Sequence, residues 1–263
     1  MESQYVEGPR IYIIARPALN MEAVHQFLGD ENVVWRRTPG AKEAEEIVEL
    51  GGRICYMSFS AAQSPRTTAE YLHNLVEMGH ESVLEHAVWS VMIVGISRAF
   101  SHQLVRHRAG FSFSQLSQQY HDETDAKFVL PEAVKNDARA TEIWKAVMIG
   151  SKAAYDKMLT SVDQTMAASD PTLIPKERRR ALRSVARSVL PNATETKVMV
   201  TANARALRHF LCVRGGIIGD PEMRRVAALL FELMVKEAPA IFDDFTIQFR
   251  SDGSPVVVSK SAT

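Results

Sequence analysis

Apolar positions recur mostly at helical spacing, interrupted by three β-type runs. Arg10 to Ala15 (RIYIIA) reads as a short strand near the start. Ala41 to Leu50 sets Ala44, Ile47, Val48 and Leu50 on one side and predicts a helix. A firmer helix is expected from Ser64-Pro65 to Gly79. Ser suits the N-cap, Pro the first helical position and Gly the stop. Its buried stripe would be Tyr71, Leu72, Leu75, Val76 and Met78. Ala87 to Ile96 (AVWSVMIVGI) has the β-branched content and length of a buried strand. Ser97 then caps a short helix to Arg106, with Phe100, Leu104 and Val105 inward.

The second half is more helical. Ala138 to Ala168 predicts a long helix with an interruption near Gly150, and Lys176 to Val189 a basic helix ended by Pro191. Lys197 to Thr201 is the third strand. Asn203 to Arg214 is a helix stopped by Gly215-Gly216, and Asp220-Pro221 opens another that runs to about Lys236. The polar tail after Arg250 is expected to be loose. Strands and helices interleave without a regular βαβ cadence, and no linker or repeat is evident. The expected fold class is therefore α/β of the α+β kind: one domain over 1–263, with a mixed sheet and flanking helices.

Composition narrows the partners. The chain has 263 residues, 46% hydrophobic and 24% charged, with a formal net charge of zero. A protein built to coat nucleic acid would be basic throughout, so no nucleic-acid partner is expected. Cys55 and Cys212 lack metal or disulfide spacing. The start lacks an apolar signal region and no apolar run reaches membrane-spanning length, so the expected location is cytoplasmic, with no membrane partner. No glycine-rich dinucleotide or P-loop fingerprint is present.

Chemistry concentrates at Arg106-His107-Arg108 and the polar run Ser112 to Tyr120 behind it. Arginine forks match phosphate oxygens, while serine and glutamine add neutral orienting bonds. Gln103 and Arg106, three apart on a helix, can grip one ligand together. The plainer alternative is a basic helix end that complements the macrodipole. A second cluster is Asn203, Arg205, His209 and Arg214, where a solvated helix face and a C-terminal cap are the plain alternatives. Nothing local distinguishes Arg187 from the other arginines of its helix. His80-Glu81-Ser82 with Glu85-His86 matches no common zinc spacing, so no metal is expected and a histidine lining a cleft is the better reading. Cys212, between Leu211 and Val213, reads as a small core residue rather than a nucleophile.

Together these pieces resemble a known family. Arg106-His107-Arg108 with Ser117 after a polar spacer resembles the signature of the flavin-dependent thymidylate synthases. Gln103 before it, His80-Glu81-Ser82 with Glu85-His86 upstream, and Arg187 to Pro191 with Thr201 to Arg205 downstream agree in order and spacing. The likeness covers roughly Arg53 to Phe245. It implies a methyltransferase that makes dTMP from dUMP, with 5,10-methylenetetrahydrofolate as carbon donor, NADPH as reductant and bound FAD as hydride source. It also implies a largely antiparallel sheet, no cysteine nucleophile, and a homotetramer whose active sites are shared between subunits.

The resemblance assigns roles residue by residue. Arg214 looks like the catalytic arginine that favours ionisation of the uracil. Gln103, Leu104, Val105, Arg106, Arg187 and the run Gln115, Leu116, Ser117, Gln118 and Gln119 resemble dUMP ligands, together with Arg214. Ser82, Arg106, His107, Arg108, Gln115, Asn203, Ala204, Arg205 and His209 resemble FAD ligands, and His80 would lie near the flavin. Three departures stand out. The spacer of eight residues between Arg108 and Ser117 is longer by one than the family's commonest form. Gln119 stands where an arginine usually meets the nucleotide phosphate. Ile218 stands where a histidine is common. Two competing readings are a nucleic-acid binder using Arg106, Arg108, Arg178 and Arg183, and a relative that methylates another pyrimidine or an RNA base.

Overall fold

The computed structural model describes residues 5–6, 8–169, 172 and 174–260. Parts of the polar start (1–4 and 7) and end (261–263) therefore lie outside the described residues. In chain order come β1 (Tyr5–Val6), β2 (Arg10–Ala15), α1 (Met21–Asp30), α2 (Glu43–Ile54) and α3 (Thr68–Glu77). Next are β3 (Val88–Ser97), α4 (Arg98–Leu104), β4 (Phe111–Gln115), β5 (Phe128–Val129), α5 (Glu132–Lys135) and α6 (Ala138–Ser169). The remainder is α7 (Pro175–Ala186), β6 (Glu195–Asn203), α8 (Ala204–Arg214), α9 (Pro221–Glu237), α10 (Pro239–Phe242), β7 (Phe245–Phe249) and β8 (Pro255–Ser259). Short 3-10 turns cover Ser60–Ala62, Glu81–His86 and Arg187–Val189.

The fold is mixed α/β, with sheets flanked by helices. Four strands pair in the order β2-β3-β6-β4. β1 pairs parallel with β5, and β7 pairs antiparallel with β8 from Phe245↔Ser259 to Phe249↔Pro255. Two compact units can be recognised. The first comprises 1–10, 93–106 and 114–198; the second comprises 11–92, 107–113 and 199–263. Each is assembled from separate stretches, so no linker marks a boundary in the sequence. Among the described residues, no helix is long and apolar enough to cross a membrane.

Local chemistry explains most element ends. The Ser97 hydroxyl accepts from the Phe100 amide, so α4 starts where expected, but it closes at Leu104 and leaves Arg106 in the following turn. The predicted start of α3 is corrected. Its cap is Thr67, whose hydroxyl accepts from the Glu70 amide while Glu70 reaches back to the Thr67 amide. This reciprocal capping box satisfies two donors, which the lone Ser64 would not. α6 runs through Gly150 without a break, because one glycine costs a long helix only about 1 kcal/mol. The basic helix α7 ends at Ala186, and Arg187 belongs to the 3-10 turn after it.

The tail is also corrected. Residues 255–259 are not loose but form the second strand of a hairpin, with Val257 buried. Several elements escaped the sequence reading: the short β1, β5, α5, α10 and β7, and also α1 and β4. α1 is capped by Asn20 and sets Val24 against Trp35 and Phe59. β4 lies in the polar run, where Phe111, Phe113 and Gln115 alternate with exposed Ser112 and Ser114. That period of two is a strand signal obscured by hydroxyls and amides.

The second unit depends on an unexpected polar core. The buried face of α2 carries Glu45, Glu46, Glu49 and Arg53 as well as Ala44 and Val48. Glu49 accepts from Arg53 Nε at 2.6 Å, from the Thr68 hydroxyl at 2.6 Å and from Trp35 Nε1 at 3.4 Å. Arg53 also lies over the Tyr71 ring, 4.6 Å from its centroid. Glu45 accepts from the Ala240 amide at 2.7 Å, so the same helix holds α10. Buried charges tolerate this only when their lone pairs and protons are satisfied. Glu49→Ala strands Arg53, which is 1% exposed, and should cost about 3–5 kcal/mol in urea unfolding. A loss below about 1 kcal/mol would show that the cluster does not hold this unit together.

Candidate active site

In the second unit the site is built around the start and end of α8. Asn203 caps the helix, its side-chain oxygen accepting from the Ala206 amide at 2.8 Å. Its own backbone amide donates to Gly110 O at 3.2 Å. Gly110 has φ +71°, and a Cβ there would lie 2.7 Å from Asn203 Nδ2 and 2.8 Å from Ala206 Cβ. Only glycine meets both demands, the left-handed backbone and the close approach. The turn it makes, closed by the Phe111 amide on Arg108 O, carries His107 and Arg108 back to α8.

At the other end of α8, Arg214 Nε donates to His107 Nε2 at 3.0 Å. A guanidinium stays protonated, so the imidazole nitrogen facing it must be the acceptor. His107 is therefore neutral with its proton on Nδ1. Its ring packs edge-on against Phe210 at 5.2 Å and against His209 at 6.2 Å, and tilted against Phe111 at 5.8 Å. Burial pushes its pKa below the ordinary histidine value, and the charge of Arg214 and then His209 push it the same way. Phe111 in turn stacks on Phe113 at 5.7 Å. A half-buried guanidinium beside an aromatic bed results.

The rest of the α8 cluster is exposed. Arg205 pairs with Glu85 at 2.7 Å and Glu81 at 3.8 Å, in the turn that also carries exposed Ser82. Exposed pairs of this kind hold only about 0–1 kcal/mol each, so a phosphate could displace them. His80, His209 and Arg108 are exposed too. Ala204 is buried, and its amide is used by Ala87 O. Arg208 carries no functional signal in sequence, and its part is structural. It forks onto Asp244 at 2.6 and 2.8 Å, donates to Ile241 O and lies over Phe245. The Cys212 expectation is corrected: the residue is exposed, because it lies off the inner face of α8. Burial of its sulfur still raises the thiol pKa.

In the first unit, Gln103 and Arg106 are exposed, Leu104 is buried and Val105 half-buried. Since α4 stops at Leu104, Gln103 and Arg106 are related by a turn (Arg106 N to Gln103 O, 3.2 Å) rather than by a shared helix face. The Gln115 side-chain amide is already bonded to Ser101 at 3.0 Å and Thr196 at 3.2 Å. The Leu116 amide donates to Lys197 O. Gln118 is buried with its amide nitrogen unpartnered. The Ser117 hydroxyl accepts from the Gln119 amide at 3.3 Å. Gln119 itself meets α7, donating to Ser184 at 3.4 Å and accepting from Arg180 Nε at 3.4 Å. Arg180 was not singled out by sequence, because only the fold brings it to Gln119. Arg98 was missed for the same reason. Burial lowers its pKa, the Glu123 charge opposes that and the Arg187 charge adds to it, so Arg98 and Arg187 share one neighbourhood.

Residues 37–240 match the family described as thymidylate synthase complementing protein. The flavin-dependent thymidylate synthase of Mycobacterium marinum is 41% identical over 239 residues, covering 90% of this chain and 93% of the relative. That of Mycobacterium sp. (strain JLS) is 40% identical over 261 residues, covering 97% and 96%. That of Corynebacterium aurimucosum is 38% identical over 242 residues, covering 91% and 95%. With most of both chains aligned at this identity, the chain belongs to the flavin-dependent thymidylate synthase family, and it is an enzyme of the methyltransferase class.

The His107 geometry makes a titration prediction. A folded pKa below the ordinary value, about 6.5, means the unfolded chain binds a proton that the folded chain resists. Stability should therefore fall as pH drops from that value toward the folded one. By NMR the His107 midpoint should lie below that of a free histidine, and Arg214→Gln should move it upward. A midpoint that Arg214→Gln leaves in place would refute the contact.

Proposed function

We propose that this enzyme converts dUMP to dTMP, using FAD, NADPH and 5,10-methylenetetrahydrofolate, without a cysteine nucleophile. The observation that carries the reading is Arg214 held through its Nε on neutral His107. That contact leaves the two Nη groups of a permanently charged side chain for a ligand. A uracil losing its N3 proton develops negative charge on its ring oxygens. A fixed cation stabilises that charge without reorganising or giving up a proton. Carbon–carbon bond formation at uracil C5 then follows from an electron-rich ring rather than from thiolate attack. The raised pKa of Cys212 agrees with this.

The atoms balance with NADPH as the reductant. The folate gives up its methylene and its two nitrogens take up two protons, one matching the proton lost from uracil C5 and one from solvent, while one hydride converts the transferred methylene to methyl. Tetrahydrofolate and NADP⁺ leave.

The donor set of the second unit suits a flavin. Phe111 and the two imidazoles, backed by the buried Phe210, offer flat aromatic surface, and Arg108, Arg205 and Ser82 offer donors for a pyrophosphate. Asn203 spends its oxygen on the helix cap and keeps its NH₂ for a ligand. Bound FAD would supply the hydride chemistry; the chain's own part is holding, orienting and charge stabilisation. In the first unit, Gln103, Arg106, Ser117, Arg187 and the backbone of Gln115 to Gln119 hold the nucleotide. Arg180 restores positive charge beside Gln119, where the family more often has arginine. The homotetramer implied by the resemblance is part of the same proposal, and mass determination in solution tests it.

Purified protein should be yellow, oxidise NADPH faster with dUMP present, and make dTMP only with methylenetetrahydrofolate. Arg214→Ala should abolish dTMP formation with the fold intact. A colourless protein that takes up no FAD and makes no dTMP would end this reading. Arg180→Ala should raise KM for dUMP about five-fold, equivalent to about 1 kcal/mol, with kcat near wild type. An unchanged KM would remove Arg180 from the phosphate site.

A further inference from the structure

The turn that follows Arg214 is tied down by a part of the chain with no role in the reading above. Gly215 O accepts from the Val257 amide of β8 at 3.0 Å. The approach is close enough that a Cβ on Gly215 would lie 2.7 Å from Val257 Cβ and 2.9 Å from Val257 O. Two residues on, Ile217 returns its amide to Arg214 O at 3.3 Å, and its own carbonyl accepts from Arg224 Nη1 at 2.9 Å. The other nitrogen of that fork, Nη2, donates to the Ser254 hydroxyl at 2.8 Å. Ser254 gives its amide and hydroxyl to Asp252, at 2.9 and 2.6 Å, in the turn between β7 and β8.

Arg224 is unusual in its own right. It is 2% exposed, its Nε has no partner, and among the described residues no carboxylate pairs with it directly. An arginine held this way is costly to the fold. Packing alone would be served better by an apolar side chain, so its fork needs a reason. The fork joins two pieces of backbone: the turn leaving α8 and the turn of the β7–β8 hairpin.

We propose that Arg224, with Ser254 and Asp252, is a positioning residue set for Arg214. His107 fixes the side chain of Arg214 from the front, and this clamp fixes its backbone from behind. The inference rests on the catalytic role assigned to Arg214 above. A guanidinium that stabilises charge must be held to within a fraction of an ångström, because small displacements cost large factors in rate. Apart from Arg214, whose charge acts on the uracil ring, the residues assigned to dUMP lie outside the clamp. Loosening it should therefore lower kcat more than it raises KM for dUMP.

The test compares wild type with Ser254→Ala, Ser254→Thr and Asp252→Ala, each below its unfolding temperature. Ser254→Ala should lower kcat about ten-fold with KM for dUMP within about two-fold. In the protein without flavin, it should also shift the His107 NMR titration midpoint upward, as Arg214 drifts from the ring. Ser254→Thr, which keeps the hydroxyl, should restore both. Asp252→Ala, at an exposed position, should show the same signs more weakly, and it is read instead if Ser254→Ala does not fold. Wild-type kcat together with an unmoved His107 midpoint in the folded variant overturns the clamp. If wild type makes no dTMP, or Arg214→Ala turns over normally, the catalytic reading fails instead, and the His107 midpoint still judges the clamp.

Discussion

A single hydrogen bond, from Arg214 to His107, organises the candidate site at the end of α8. The donor cannot lose its proton, so the acceptor cannot carry one at that nitrogen. Charge state, tautomer and ring orientation of His107 are settled together. The aromatic bed follows, because a neutral ring can lie against Phe210 and Phe111 where an imidazolium would be poorly solvated. The contact also requires that two distant stretches of chain come within 3.0 Å of one another. Gly110 permits that through its left-handed turn and its approach to the cap of α8.

Helix α8 shows how one residue type serves opposite ends. Arg205, Arg208 and Arg214 are spaced so that each faces a different environment. Arg205 is exposed on weak ion pairs, Arg208 is buried on a bidentate carboxylate, and Arg214 stands half-buried on a neutral ring. The buried fork anchors the helix to the segment around Asp244. That anchoring lets the last residue of α8 act as a fixed charge. The buried anchor in the middle of the helix and the candidate site at its end are thus set by the same stretch of backbone.

Much of this was legible in the sequence, for identifiable reasons. Ser97, Asn203 and Asp220 each announced a helix, and each caps one, since a short polar side chain before an apolar run has few other uses. The Arg-His-Arg run and Arg214 stood out as candidate site residues, and the fold brings His107 and Arg214 into contact. What escaped was everything set by long-range contact. Thr67 outcompeted Ser64 because the reciprocal bond from Glu70 is worth more than a Ser-Pro start. The sequence reading named only the apolar side of α2, whereas its carboxylates are buried because Arg53, Arg37 and the Ala240 amide meet them. Arg180 and Arg224 were two arginines among many until the fold gave them partners. The tail looked loose because its polar turn concealed a strand with buried Val257.

The hairpin has a further consequence for the order of events during synthesis. Arg214 leaves the ribosome before the strand that steadies the turn behind it. The cap of the helix carrying it is local, but its buried Arg208 must wait for Asp244 further along the chain. Its final backbone setting must wait until Val257 has emerged. A nascent chain could therefore fold most of this unit while the turn behind Arg214 is still unfastened, and the site is set only as β8 docks.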